Sequence, residues 1–137
     1  MQMIERKTTE RGLVLLVDDN ESLSFIIQCM LETIGFEVEC AYNGRDAVRM
    51  IVAKSYLAVL MDIEMPEMDG LEATKAIRHI ERERLIPPMP ILGISGHTNI
   101  GMKMLGQMAG MSDFLLKPFH IEHLEEKLLS ACNINMN

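Results

Sequence analysis

The sequence predicts an α/β domain: a parallel sheet of five strands with helices on both faces. Short apolar runs alternate with helical patterns five times, which is the mark of a sheet wound by crossover helices. Most of those runs are continuous rather than alternating, as strands buried on both faces require. The chain has 137 residues, 48% hydrophobic and 24% charged, which describes one compact unit. A chain of this size buries roughly two thirds of its unfolded surface, so it needs no disulfide or structural metal to hold a core.

Leu13 to Val17, Leu57 to Met61, Pro90 to Ser95 and Phe114 to Leu116 read as buried strands. In Phe36 to Tyr42, Phe36, Val38 and Cys40 alternate with Glu37 and Glu39, so this strand is wet on one face and belongs at a sheet edge. Gly35 and Asn43-Gly44 mark turns around it. Helical stripes follow at Leu23, Ile27, Met30, Leu31 and Ile34, at Ala73, Ala76, Ile77 and Ile80, and at Ile121, Leu124 and Leu128. Asp69 with Glu72 three residues on is a capping pattern. The helix from about Asn99 to Ala109 carries Gly101 and Gly106, each costing about 1 kcal/mol relative to Ala, and is the most easily remodelled. Glu81 to Arg84 reads as a solvated helix end running into a stiff loop through Pro87, Pro88 and Pro90.

Composition excludes several functions. Thirteen basic against twenty acidic residues give a net charge of −7, which argues against direct nucleic-acid binding. No apolar run approaches the roughly 20 residues of a membrane span, and Met1 to Gly12 lacks the apolar core of a signal peptide, so the expected compartment is the cytoplasm without membrane insertion. Cys29, Cys40 and Cys132 match neither a disulfide framework nor a zinc site and are expected to be reduced, half-buried thiols. Met102, Met104, Met108 and Met111 surround the weak helix, and core filling is the expected job of most of them.

In an open parallel sheet, functional groups gather at the carboxyl ends of the strands. Four ends are polar here: Asp18-Asp19, Asp62, Ser95-Gly96 and Lys117-Pro118. Two carboxylates about 4 Å apart repel by about 4 kcal/mol at an effective dielectric near 20, so such a cluster raises its pKa values or recruits a cation. Mg²⁺ suits it, because it takes one or two carboxylates and leaves room for a phosphoryl oxygen. Lys117 adds a compact positive charge and Ser95 a hydroxyl. The chemistry supported is attack of a carboxylate on phosphorus, with Asp62 as acceptor. Simpler uses exist for each residue alone: Asp18-Asp19 as a helix cap, Asp62 and Ser95 as turn residues, Lys117 as a solvated charge. An EF-hand fails, because Leu23 and Cys29 fall where Gly and Glu are needed.

Val17-Asp18-Asp19-Asn20, Met61-Asp62-Ile63-Glu64-Met65-Pro66 with Met68-Asp69-Gly70, Ser95-Gly96 and Lys117-Pro118-Phe119 together resemble the receiver domain of two-component response regulators. Ser95 and Lys117 lie 22 residues apart, the length of one helix plus one strand. The resemblance implies a flavodoxin-like doubly wound sheet of strand order 2-1-3-4-5 with five helices, spanning residues 12–132 between tails 1–11 and 133–137. It implies that Asp62 is phosphorylated by a histidine kinase or histidine phosphotransfer protein. It also implies a Mg²⁺ held by Asp18, Asp19, Asp62 and the backbone carbonyl of Glu64. Lys117 would pair with the phosphoryl oxygens, Ser95 would hydrogen-bond one of them, and the Lys117-Pro118 bond would be cis. Phe114 stands at the family's rotating aromatic position, while Glu64 and His97 stand where receivers tune dephosphorylation, flanking the path of attacking water. The face of the fourth helix, fifth strand and fifth helix would change on modification and bind an effector or a second copy.

Such a domain promotes its own phosphorylation and dephosphorylation without being an enzyme in the ordinary sense. The competing reading is a Mg²⁺-dependent phosphohydrolase with an aspartyl-phosphate intermediate, whose nucleophile usually lies on the first strand under a cap. An FMN carrier is disfavoured because Asp18 and Asp19 repel phosphate, and a degenerate receiver because no expected position is missing. With no output domain after Cys132, the chain reads as a free-standing receiver or a piece of a larger protein such as a hybrid kinase.

Overall fold

A computed structural model describes residues 11–65, 68–96 and 100–132. Five strands, β1 (Leu13–Val17), β2 (Glu37–Ala41), β3 (Ala58–Asp62), β4 (Ile91–Ser95) and β5 (Asp113–Leu116), pair in parallel in the order β2-β1-β3-β4-β5. The helices between and after them are α1 (Glu21–Thr33), α2 (Gly44–Ala53), α3 (Gly70–Arg84), α4 (Ile100–Ala109) and α5 (Ile121–Ala131). The expected topology is the observed one, and the strand read as wet on one face, β2, is an edge.

Side chains alternate across a strand, so the central strands feed two separate cores. Val14 and Leu16 of β1 join Leu60, Leu92 and Ile94 under the inward stripes of α1 and α5, including Ile27, Leu31, Leu124 and Leu128. Leu15 and Val17 join Val59, Met61 and Ile91 under α2 and α3, with Ala47, Ala73 and Ile77. At about 25 cal/mol per Å² these two layers supply most of the driving force of folding.

Caps fix where the helices begin, and so how the loops cross the strand ends. Asn20 accepts from Leu23 N at 3.0 Å to start α1, and Asp69 with Glu72 forms a reciprocal capping box on α3. Asn43 accepts from Asp46 N at 2.7 Å, so Asn43-Gly44, expected as a turn, is the start of α2. Gly70 opens α3 against the end of β3: a Cβ there would sit 2.2 Å from the Asp62 carbonyl oxygen, so no larger residue fits this crossing. The helix closes at Leu85, which takes the left-handed conformation (φ 55°) at a position where glycine is usual.

Three expectations need correction. Glu81 is buried, not solvated, because it lies one turn beyond Ile77 on the inward face of α3. Cys29 is exposed rather than half-buried, since Ser24, Ile27 and Leu31 take the sheet-facing side of α1; Cys40 and Cys132 are half-buried, and all three thiols are free. Met111 is buried and Met102 half-buried, but Met104 and Met108 are 56% and 79% exposed, so core filling accounts for only two of the four. The inward face of α4 is built instead from Gly106 and Ala109.

Candidate functional site

Strands β1 and β3 are neighbours, so their carboxyl ends deliver acidic residues to one crevice. Asp18, Asp19 and Asp62 each offer a carboxylate oxygen within 4.8 Å of the others. Asp18 is fully buried and Asp62 is 3% exposed, whereas Asp19 faces solvent. Burial of two acids side by side is electrostatically unfavourable.

Partial compensation comes from nearby donors. Asp18 is held from both sides: its backbone N–H donates to the Ala41 carbonyl at 3.1 Å, and its Oδ1 accepts from Asn20 N at 2.9 Å. Its Oδ2 is buried without a hydrogen-bond partner. Asp62 Oδ1 accepts from Glu64 N at 3.1 Å. Lys117 Nζ stands midway, 3.6 Å from Asp18 Oδ2 and 3.7 Å from Asp62 Oδ2. One lysine facing two carboxylates leaves the cluster net negative. Burial pushes the Asp62 carboxyl up to about 7, and Asp18 adds to that rise, against the lowering effects of Lys117 and the Glu64 N–H. An orphaned carboxylate oxygen beside two further carboxylates is a hard, oxygen-only donor set, which fits a divalent cation such as Mg²⁺.

Strand pairing places the remaining residues. β4 and β5 put Ser95 opposite Leu116, and Lys117 N donates to the Ser95 carbonyl at 2.8 Å, tying the lysine's backbone to the serine's. The Lys117-Pro118 peptide is cis, as the resemblance implied. Ser95 is buried at the strand end. Glu64 is exposed just beyond Asp62. Phe114 lies one strand over, half-buried, its ring against Gly93 and Gly106. His97 lies outside the described residues.

Sequence reasoning missed an apolar surface beside the crevice. Phe25 and Ile26 on α1 are 66% and 55% exposed, and Leu23, Ile26 and Met30 line a groove with Lys117, Pro118 and Phe119. The signal was two apolar residues lying off the helical stripe. Met104, Leu105 and Met108 of α4 and Leu116 of β5 are further exposed apolar residues. Among the described residues no helix is long and apolar enough to cross a membrane.

Comparison with known proteins agrees with this geometry. The family model described as response regulator receiver domain matches residues 14–129. The sensor histidine kinase GacS of Pseudomonas protegens is 38% identical over 116 residues, covering 85% of this chain and 13% of that protein. The CAI-1 autoinducer sensor kinase/phosphatase CqsS of Vibrio cholerae is 38% identical over 113 residues, covering 82% of this chain and 16% of that protein. The chain therefore spans only a small part of these relatives. Among solved structures, the receiver domain of the sensor histidine kinase PA1611 from Pseudomonas aeruginosa, with magnesium coordinated in its active-site cleft, superposes with a TM-score of 0.80 at 34% identity, covering 89% of this chain and 98% of that one. The receiver domain of Saccharomyces cerevisiae Ssk1, crystallised with the histidine phosphotransfer protein Ypd1, gives a TM-score of 0.83 at 25% identity, covering 88% of each chain. With an acidic crevice at the carboxyl ends of a 2-1-3-4-5 sheet, and with this match over most of its length, the chain belongs to the response regulator receiver family.

Proposed function

We propose that Asp62 accepts a phosphoryl group from a phosphohistidine on a histidine kinase or histidine phosphotransfer protein, and that the modified domain signals by binding a partner. The observation that carries this reading is the position of Asp62: buried at the end of a central strand, one carboxylate oxygen held by Glu64 N–H and the other facing Lys117 across 3.7 Å. Oδ2 is then the attacking atom. It forms the new P–O bond while the P–N bond to the donor imidazole breaks and its electron pair stays on the ring nitrogen. Lys117 stands ready to balance the charge of the phosphoryl oxygens, and the Ser95 hydroxyl to hydrogen-bond one of them. A Mg²⁺ held by Asp18, Asp19, Asp62 and the Glu64 carbonyl would supply the positive charge that keeps Asp62 ionised near neutral pH.

The domain, residues 12–132, catalyses no turnover of an external substrate, and its location is cytoplasmic. The apolar groove of α1 beside Lys117 is where the phosphodonor docks, because a donor histidine must reach Asp62 from that mouth. Met104, Leu105, Met108 and Leu116, with α5, form the face for an effector or a second copy. Ser95 and Phe114 relay the change to that face, while Glu64 and His97 set how fast water removes the phosphoryl group. The phosphohydrolase reading is not favoured, since Asp62 lies on β3 rather than on the first strand.

The test is incubation with acetyl phosphate and Mg²⁺ followed by mass spectrometry. Wild type gains one phosphoryl group with Mg²⁺ and none when a chelator is present from the start; Asp62→Asn gains none. Phosphate carried equally by Asp62→Asn, or steady turnover of a phosphate ester by the wild type, overturns the reading.

A further inference from the structure

Among the described side chains, the two halves of α4 differ in burial. In its first half the described side chains of Lys103, Met104 and Leu105 are exposed and Met102 is only half-buried. In its second half Gly106 and Ala109 are buried, and Met111 follows them into the core. The last turn closes through Gly110, whose left-handed backbone (φ 111°) lets Gly110 N and Met111 N both return to the Gly106 carbonyl, at 3.1 and 2.9 Å.

A polar strut then ties this end down. The Gly110 carbonyl accepts from Arg78 Nε at 2.9 Å, and the arginine stem is so close that a Cβ on Gly110 would lie 2.7 Å from its Cγ. Arg78 Nη1 pairs with Glu81 Oε1 at 2.7 Å, with side-chain exposures of 12% and 4%. Glu81 Oε2 accepts from Met89 N at 2.8 Å, just ahead of β4. Ser112 continues the clasp, its N donating to the Ile91 carbonyl at 2.8 Å and its hydroxyl accepting from Ile91 N at 3.0 Å. A planar guanidinium with two fixed partners, one of them a buried carboxylate, holds position far better than a surface ion pair.

We propose that Arg78 is the positioning residue of the switch: through Glu81 it pins the carboxyl end of α4, so that the helix responds to the site by swinging its amino end about that point rather than by sliding as a whole. The inference rests on Asp62 being the phosphoacceptor. The strut lies at the end of the sheet opposite the acidic crevice, so its loss leaves the phosphorylation chemistry intact while changing where the response appears.

Hydrogen exchange of the full chain with Mg²⁺, with and without acetyl phosphate, tests this. In wild type the donor-dependent change falls on residues 100–105, while the amides of Gly110 and Met111 stay protected in both states. In Arg78→Met/Glu81→Leu, which removes both charges together, those two amides exchange about tenfold faster even without donor, and the donor-dependent change spreads along the whole helix. Arg78→Lys keeps a charge for Glu81 but cannot serve both partners, so it shows the same loosening to a smaller degree and covers the case of a double variant that does not fold. Equal donor-dependent change at both ends of wild-type α4, or unchanged protection of Gly110 and Met111 in the variants, overturns the proposal. Failure of the phosphoacceptor reading is seen separately, as absence of added phosphoryl mass on wild type in the same samples.

Discussion

Two ends of one sheet treat buried acids in opposite ways. At the amino ends of the strands, Glu81 is buried to 3% exposure with both oxygens used, one on Arg78 and one on Met89 N. At the carboxyl ends, Asp18 and Asp62 are as deeply buried, yet they share one lysine beyond hydrogen-bonding distance and leave Asp18 Oδ2 without a partner. Burying a charge is expensive, and among the described residues a buried side-chain oxygen goes without a hydrogen-bond partner only in the crevice, where the proposed cation and phosphoryl group would complete the set. Satisfied acids mark scaffold; frustrated ones mark function.

Removing one charge from each end should therefore have opposite effects on stability. The largest is expected at the paired end. Glu81→Gln leaves Arg78 buried without its counter-charge and takes an acceptor from Met89 N, so urea unfolding should show a loss of about 3 kcal/mol. A loss within about 0.5 kcal/mol would mean that this pair is no better than a surface one.

Asp62→Asn should stabilise. The Asp62 carboxyl rises from 3.8 to about 7, chiefly through burial and further through Asp18, so between those values the folded protein holds a proton that the unfolded chain has released. Stability attributable to this group is then highest in acid and falls as pH rises through that window. Thermal unfolding of Asp62→Asn against wild type should show an advantage that is small below about pH 4, grows through that window and levels off above about pH 7. Mg²⁺ should raise the wild-type midpoint at pH 8 far more than at pH 5, and more than that of Asp62→Asn. A difference flat in pH breaks the contrast between the two ends.

Much of this was legible in the chain. Strand ends could be read because a continuous apolar run stops at a polar residue, which is how Asp18, Asp62, Ser95 and Lys117 were placed in one crevice. The cap at Asp69 was legible because both halves of its box lie within one turn. What was not legible depended on which way a helix faces its neighbours. Glu81 looked like one member of a charged run, although its spacing from Ile77 pointed inward. Asn43-Gly44 looked like a turn because the short stripe of α2, Ala47 and Ile51, gives few positions to detect. Exposure of Phe25, Cys29 and Met108 follows from which stripe wins the sheet, a competition settled in three dimensions rather than along the chain.

The finest version of the comparison lies in a further partnered acid, in the middle of the edge strand β2. Glu39 is about one third exposed; it pairs with Lys54 and accepts from Tyr56 OH at 2.7 Å, joining β2 to the turn before β3. Those partners, Lys54 first, hold its carboxyl below 4.5, the reverse of Asp62. A lowered carboxyl stabilises the fold above its unfolded value and loses that contribution as pH falls through the folded one. Glu39→Gln should therefore cost no more than about 1 kcal/mol at pH 7, and the cost should fade below about pH 4, because solvent screens a pair this exposed. The two variants, Asp62→Asn and Glu39→Gln, then give difference curves of opposite sign against wild type, both growing as pH rises. Curves of the same sign would show that the presence or lack of close partners is not what separates the two acids.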